Sequence, residues 1–409
     1  MPVTRRGLFN LVGSGGSSPI SGAVLAARGL EAHYGEYHAQ QARGQNPGRT
    51  RPVLPPGVEE IRISSNENPL GPGRAALDAI LGKFPEAGRY PFNSTPSEGD
   101  LAAAIAGKFK VKPENVVLGA GSQEILKNSM RAWVSPTRPF VTALPTFENC
   151  TGYARKYKLP LTEVPVDSQM RLDVEPMIAA AVKGAGLVFF NNPNNPTATV
   201  HGAKTVTDMV ERIRKASPDT VILIDEAYHD YVTDPSYQTA VPLALATPNV
   251  LVARTFSKAY GMAGMRIGYA VGRADTLKKL AALKMPYNVS VFGIGAAIAS
   301  LNDPQHIDDE RRRNTEVRDF TMKALREMGA KPADSQGNFL FADIGMPAKD
   351  FRDACAKQGV MVGRDFPPFE KTHCRISIGT MAEMQKATEV FRGALKKITT
   401  TSSGSGKGR

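Results

Sequence analysis

The sequence predicts an α/β protein in which a large unit, with a mostly parallel sheet between helices, is followed by a smaller α+β unit. Two observations carry the first half of that reading. Between about residues 96 and 303, short apolar runs alternate with amphipathic helical stretches, the sequence form of a wound α/β domain. These runs are rich in Val, Ile and Leu with little alternation, as expected of strands covered by helices on both faces. A third observation carries the second half: from about Pro304 a single long charged stretch leads to two further strand-like runs.

Taken in order, the expected strands of the large unit are "NVVLG" (115–119), "FVTAL" (140–144), "GLVFFN" (186–191), "VILIDE" (221–226), "VLVART" (250–255) and "IGYAVG" (267–272). The charged stretch "HIDDERRRNTEVRDFTMKALREMG" reads as a helix, and "GNFLFADI" and "CRISIG" as the strands of the smaller unit, 304–396. Residues 51–95 are expected to pack with that unit. The last residues, 397–409, include the Gly/Ser-rich "TTTSSGSGKGR", which has nothing to bury and reads as a disordered tail. At the other end, "TRRGLFN" (Thr4–Asn10) and the mildly apolar "LVGSGGSSPISGAVLAA" resemble a twin-arginine export signal, so residues 1–50 are set apart from the fold as a signal or a disordered arm. Export by that route is the expected localisation, with the cytoplasm as the alternative.

Composition narrows the function. The 409 residues are 42% hydrophobic and 22% charged, ordinary for a globular chain, and no apolar run is long enough for stable membrane insertion. The net charge of +12 suits an anionic ligand, but the Lys and Arg residues are scattered, which argues against nucleic acid. Cys150, Cys355 and Cys374 are far apart and form no CxxC, so neither a metal site nor a disulfide frame is expected.

In an open α/β sheet, ligands bind beyond the carboxyl ends of the strands. After "NVVLG", the turn at Ala120 and Gly121 and the hydroxyl of Ser122 enter a helix-compatible stretch, whose free backbone N–H groups favour a phosphate. Gly-Ser turns entering helices are common, so this alone decides nothing. Phe147 follows "FVTAL" and can stack on a flat ring or simply fill space. Asn195 sits in "NNPNNPTA", a loop stiffened by Pro193 and Pro196. Asp225 ends four apolar residues of a central strand, where a buried carboxylate requires a cation. A protonated pyridine nitrogen meets that requirement, and Tyr228 can reach an adjacent ring oxygen. In "RTFSKAYGMAGMRIG" the hydroxyls of Thr255 and Ser257 and the fork of Arg266 suit a phosphate, while Lys258 between them is an amine able to form a Schiff base. One ligand uses all of these groups: pyridoxal 5'-phosphate.

The motifs "NENPLG", "RYP", "NNPNNPT", "DEAY", "RTFSKAYGMAGMRIG" and "CRISIGT" occur in the order seen in fold-type I pyridoxal-phosphate aminotransferases. Over residues 57–396 the chain resembles most closely the histidinol-phosphate aminotransferase branch. The resemblance implies that Lys258 bonds the cofactor aldehyde, Asp225 pairs with the pyridine nitrogen, and Asn195 and Tyr228 bind the ring oxygen. Phe147 stacks on the ring; Ser122, Thr255, Ser257, Arg266 and backbone amides near Ala120 and Gly121 hold the phosphate; Tyr90 reaches the partner's cofactor across a homodimer. Arg375, helped by Asn338 and Asn68, clamps the substrate carboxylate.

Two departures from the family pattern stand out: Ala198 replaces the glycine of an "NPTG" turn, implying a different backbone there, and the phosphate turn "GAGSQ" lacks an acidic contact. The implied reaction moves an amino group from a small-molecule amino donor to a 2-oxo acid by a ping-pong course. Lys258, its pKa lowered by neighbouring cations, serves as the base. A lyase or decarboxylase of the same fold, or a non-catalytic ligand sensor, are the alternatives. Arg364, in "VMVGRDFPPFEK", reads either as a ligand for a distal phosphate or as a solvent-facing residue beside an apolar pocket suited to aromatic donors.

Overall fold

The computed structural model describes residues 59–402, with side chains through residue 395. The export signal expected around Arg5 and Arg6 lies outside the described residues, as does the tail beyond Ser402. A leading unit ends at Ile61, of which residues 59–61 are described; everything below concerns the unit that begins at Arg62.

Seven strands form the central sheet: β1 (Val116–Ala120), β2 (Phe140–Leu144), β3 (Leu161–Pro165), β4 (Leu187–Asn191), β5 (Val221–Asp225), β6 (Val250–Thr255) and β7 (Ile267–Gly272). Their spatial order is β1-β7-β6-β5-β4-β2-β3. The β2 to β6 pairings are parallel, and β7 runs antiparallel to both β6 and β1. The six strands expected from sequence are all present. The seventh, β3, was not expected: "LTEVP" carries a charge and a proline and is mostly half-exposed, which an edge strand with one neighbour tolerates.

The missing alternation in these runs has a direct cause. Val188, Phe190, Ile222, Ile224, Val250 and Val252 bury on one face of the sheet, while Leu187, Phe189, Val221, Leu223, Leu251 and Ala253 bury on the other. Register then aligns the strand ends, with Asn191 opposite Asp225 and Asp225 opposite Ala253. Because the chain moves from β2 out to β3 and returns to β4 on the other side of β2, the sheet has a switch point between β2 and β4. The loops after those two strands meet there, where Thr146 Oγ1 donates to Asn194 Oδ1 at 2.8 Å.

Helices flank the sheet. Helix α1 (Glu98–Phe109) starts with a capping box between Ser97 and Asp100, α2 (Ser122–Trp133) follows β1 directly, and α3 (Asn149–Lys156) follows the loop after β2. In the C-terminal part, α4 (Pro304–Glu327) precedes a three-stranded antiparallel sheet, β8 (Lys331–Pro332), β9 (Phe339–Asp343) and β10 (His373–Ser377), in the order β10-β9-β8. Buried Glu310 of α4 accepts from Tyr231 and from Arg313, whose Nη1 donates to Gly379 O at 2.8 Å and so fixes the chain just after β10. Ile63 joins this region by backbone bonds to Met361 and Ser377. The last helix, α5 (Met381–Ser402), continues past residue 396, where the sequence reading placed the start of a disordered tail. Among the described residues no helix is long and apolar enough to cross a membrane.

Candidate active site

Asp225, at the end of β5, is buried, and its carboxyl accepts a 3.2 Å bond from Ala227 N. Burial pushes its pKa up to about 7; the Ala227 N–H opposes that, Glu226 adds to it and Lys258 opposes it. Among the described residues no ion pair engages this acid, and Lys258 acts on it only as a nearby charge. Tyr228, three residues on, is buried with its hydroxyl accepting from Asn66 Nδ2 at 3.2 Å, which leaves its own proton free to be donated. Burial lifts that phenol to about 12.

Lys258 Nζ lies 5.5 Å from the Tyr228 ring centre and donates to Asn66 O at 3.1 Å. Its pKa falls to about 8, first because it is buried and then because of Arg375, with Glu67 opposing. The direction is the one expected from sequence, but desolvation outweighs the neighbouring cations as its cause.

The phosphate end is built where β1, β6 and β7 meet. Thr255 Oγ1 donates to Ser257 Oγ at 2.9 Å, and Arg266 Nη1 donates to the same Ser257 oxygen at 3.4 Å and to Ala263 O at 2.8 Å. Gly121 caps α2 with φ +72, and a Cβ there would come within 2.3 Å of the Arg266 guanidinium, so only glycine lets the arginine close over the helix end. Among the amides near this turn, two are already engaged. Ala120 N already donates to Glu124 Oε2 at 2.7 Å, and Gly121 N to Arg266 O at 2.9 Å. The amides available to an anion are those of Ser122 and Gln123, which by helix geometry have no carbonyl one turn back. An acidic contact to this turn is also present after all, supplied by Glu124, which accepts from Asn288 as well.

At the substrate end, Arg375 of β10 points its Nη1 at Asn195 Oδ1, 2.8 Å away, and its Nη2 at Ser64 O, 2.7 Å away. Asn195 thus keeps only its Nδ2 for a ring oxygen. Burial, with Arg364 nearby, lowers Arg375 to about 10, against the opposing pull of Tyr228. Asn338 donates to Asn66 O at 3.2 Å. Arg375 Nε and Asn338 Oδ1 are buried without a partner, side by side with the engaged groups. Arg364 and Arg375 both lie against the Phe366 ring, 4.2 and 4.8 Å from its centre, and Arg364 forms an ion pair with Glu148. Arg364 is thus half-exposed, beside the Phe366 ring and with a carboxylate attached. Phe147 is half-buried against the core below.

Two further expected residues have the following surroundings. Asn68, read as a substrate ligand, donates to Ala259 O at 3.0 Å and accepts from Leu70 N at 2.9 Å, so it ties the "NENPLG" segment to the lysine loop. That segment comes so close that a Cβ on Gly261, at φ +67, would overlap Gly71 O. Tyr90 is exposed and stands in a surface cluster with Phe92 and Tyr287, at ring distances of 6.1 and 5.2 Å.

Sequence reasoning missed Asn66, Glu124, Glu148 and Ser377. Asn66 is the central omission: its backbone N–H and its Oδ1 both bond Ser377 Oγ at 2.8 Å, its amide holds Tyr228, and its carbonyl holds Lys258 and Asn338. Its place in "NENPLG" was the only signal.

These residues fit pyridoxal phosphate. A buried acid awaiting a cation, an amine near pKa 8, an uncapped helix end under an arginine, and unpartnered donor and acceptor atoms at the carboxylate end each match one part of that cofactor and its substrate. Set against known proteins, residues 58–391 match the family described as aminotransferase class I and II. A histidinol-phosphate aminotransferase from Moorella thermoacetica is 33% identical over 344 residues, 84% of this chain and 86% of its own length. An aromatic amino acid aminotransferase from Thermobifida fusca is 33% identical over 81% of this chain and 89% of its own. The solved histidinol-phosphate aminotransferase of Sinorhizobium meliloti, in complex with pyridoxal-5'-phosphate, superposes with a TM-score of 0.77 at 26% identity, covering 85% of this chain and 96% of that one.

Proposed function

Given that the chain belongs to the class I and II aminotransferases and works with pyridoxal phosphate, we propose that its amino donors carry a flat ring, as histidinol phosphate and the aromatic amino acids do. The observation behind this reading is the Phe366 ring lying against both Arg375 and Arg364: an anion anchor, an aromatic wall and a second cation in sequence. Relatives named for each donor type, at equal identity, support the same two candidates.

When bound, the cofactor supplies an aldehyde that takes up the amino group and a ring that accepts the electron pair left when the Cα proton departs. Asp225 holds the proton on the ring nitrogen. Asn195 Nδ2 and the Tyr228 hydroxyl donate to the ring oxygen, and Phe147 covers the ring. Ser122, Thr255, Ser257, Arg266 and the first amides of α2 hold the phosphate. Arg375 and Asn338 complete their unpartnered atoms on the donor's carboxylate or its equivalent. Lys258 Nζ, its pKa lowered to about 8, would be the base that takes and returns the proton at the donor's Cα.

The test mixes cofactor-loaded protein with single amino donors and no 2-oxo acid, and follows the cofactor's visible absorbance. Conversion by phenylalanine, tyrosine or histidinol phosphate is expected. Conversion by aspartate or glutamate with all ring-bearing donors inert would reject the reading.

Two proposals concern the protein's surroundings. The exposed Tyr90, Phe92 and Tyr287 cluster supports a homodimer, which a monomer in sedimentation at micromolar concentration would rule out. The Arg5-Arg6 motif supports twin-arginine export, and a folded reporter fused behind residues 1–50 that stayed inside the cell would end that idea.

A further inference from the structure

We propose that Glu148 is a specificity-determining residue: by pairing with Arg364 it cancels the charge at the outer end of the donor pocket, so that uncharged aromatic donors are preferred over ring donors bearing a distal anion. The inference rests on the ring-donor reading above and narrows it.

The argument begins with position. Glu148 directly follows Phe147 on the loop after β2, at the switch point of the sheet, and is the N-cap of α3. The N-terminus of a helix is a favourable place for a negative charge. One of its oxygens pairs with Arg364, while the other is buried with no hydrogen-bond partner. Arg364 is therefore what compensates this charge, and separating the two would strand a partly buried anion. On the arginine's side, Nη1 donates to Asp365 O at 3.0 Å and the guanidinium lies flat enough on Phe366 to sit 4.2 Å from its centre. The arginine is thus spent on a carboxylate, a carbonyl and a ring face.

A distal phosphate or carboxylate would have to displace Glu148 or lie beside it. The first breaks an existing ion pair and the second places like charges together, so the anion gains little from Arg364. A phenyl or phenol ring meets no such conflict and continues the apolar surface of Phe366. The two sides of the pair are half-exposed, so the effect is moderated by solvent and salt.

The experiment compares wild type with Glu148→Gln, which keeps size and removes charge, and with the double variant Glu148→Gln/Arg364→Gln. Three quantities are read: kcat/KM for phenylalanine, kcat/KM for histidinol phosphate, and the inhibition constant of inorganic phosphate against phenylalanine. In Glu148→Gln the ratio of histidinol phosphate to phenylalanine should rise roughly two- to fivefold, and phosphate should inhibit more tightly by a similar factor. Both gains should vanish in the double variant, a pattern that a general loosening of the loop would not produce. If phenylalanine converts but neither the ratio nor phosphate inhibition moves, the role given to Glu148 is wrong while the ring-donor reading stands. If no ring-bearing donor converts with any of the three proteins, that reading falls and takes this one with it.

Discussion

The two halves of the site differ in how far apart in sequence their parts lie. Asp225, Tyr228, Thr255, Ser257, Lys258 and the Gly121 turn stand on or just after strands of one sheet, and each is placed by its own strand's register. The substrate half is assembled from distant segments: Asn66 meets Ser377, and Ser64 meets Arg375, each across 311 positions of chain. The sheet half is positioned by strand register and contains a charge defect, the buried Asp225. The other half contains geometric defects instead, the unpartnered Arg375 Nε and Asn338 Oδ1. Each kind of defect indicates the ligand group that would relieve it, a cationic ring on one side and a carboxylate on the other.

The sharpest way to break the comparison is Asp225→Asn. Losing the partner of a buried ring cation costs about 3–5 kcal/mol, so activity should fall on the order of a thousandfold. The cofactor-free protein should respond in the opposite sense. The folded pKa of this carboxyl, about 7, lies above its ordinary 3.8. Between those values the folded state keeps a proton that the unfolded state has lost, so stability falls as pH rises from about 4 to 7 and the full cost is present above 7. Urea unfolding of the cofactor-free forms at pH 8 should therefore show the variant more stable by a few kcal/mol, with the difference closing toward pH 4. A variant less stable at pH 8 would mean that the acid is not a defect of the sheet half.

On the other half, Arg375→Lys keeps the charge and removes the planar fork. Lysine can satisfy Asn195 or Ser64 but not both while gripping a carboxylate, so kcat/KM should drop about a hundredfold. Because the loss falls on the substrate side, the cofactor's visible spectrum and its affinity should stay close to wild type. Steady-state kinetics beside a cofactor titration check this, and a large loss of cofactor affinity would show that the halves are not separable.

The same contrast governs what the sequence discloses. Asp225 stood out because one carboxylate ended an apolar strand, and Lys258 because hydroxyls and an arginine surrounded it; strand and motif are local features. Asn66 carries as many contacts as either, yet its role exists only once β10 has come to lie against it, and nothing local reports that. Ala120 and Gly121 were legible as a turn, but which amides were already taken depended on Arg266 and Glu124. The edge strand β3 escaped for a different reason: with one neighbour and half-exposed side chains, it need not look like its buried siblings.

The smallest expected effect tests the joint between the halves. Ala198 lies in the loop after β4, is fully buried, and its carbonyl accepts from Gln336 N at 2.8 Å, while Gln336 Oε1 accepts from Thr233 and Asp234. Its φ is +60, so the loop keeps the left-handed backbone that favours glycine even though alanine replaces it; the different backbone expected from the substitution is not what the chain adopts. Alanine there costs about 1–2 kcal/mol in backbone strain. Against this, Ala198→Gly loses a buried methyl worth about 0.8 kcal/mol and adds freedom to the unfolded chain worth about 0.5–1 kcal/mol. The terms nearly cancel, so stability should change by less than about 1 kcal/mol and kcat/KM hardly at all. Ala198→Val has no such cancellation, since a β-branched residue is a true outlier at positive φ and the site has no room for it. Denaturant midpoints of the two variants therefore make one measurement: a neutral glycine with a damaging valine fixes the left-handed joint, whereas a tolerated valine would mean that the loop takes another conformation in solution.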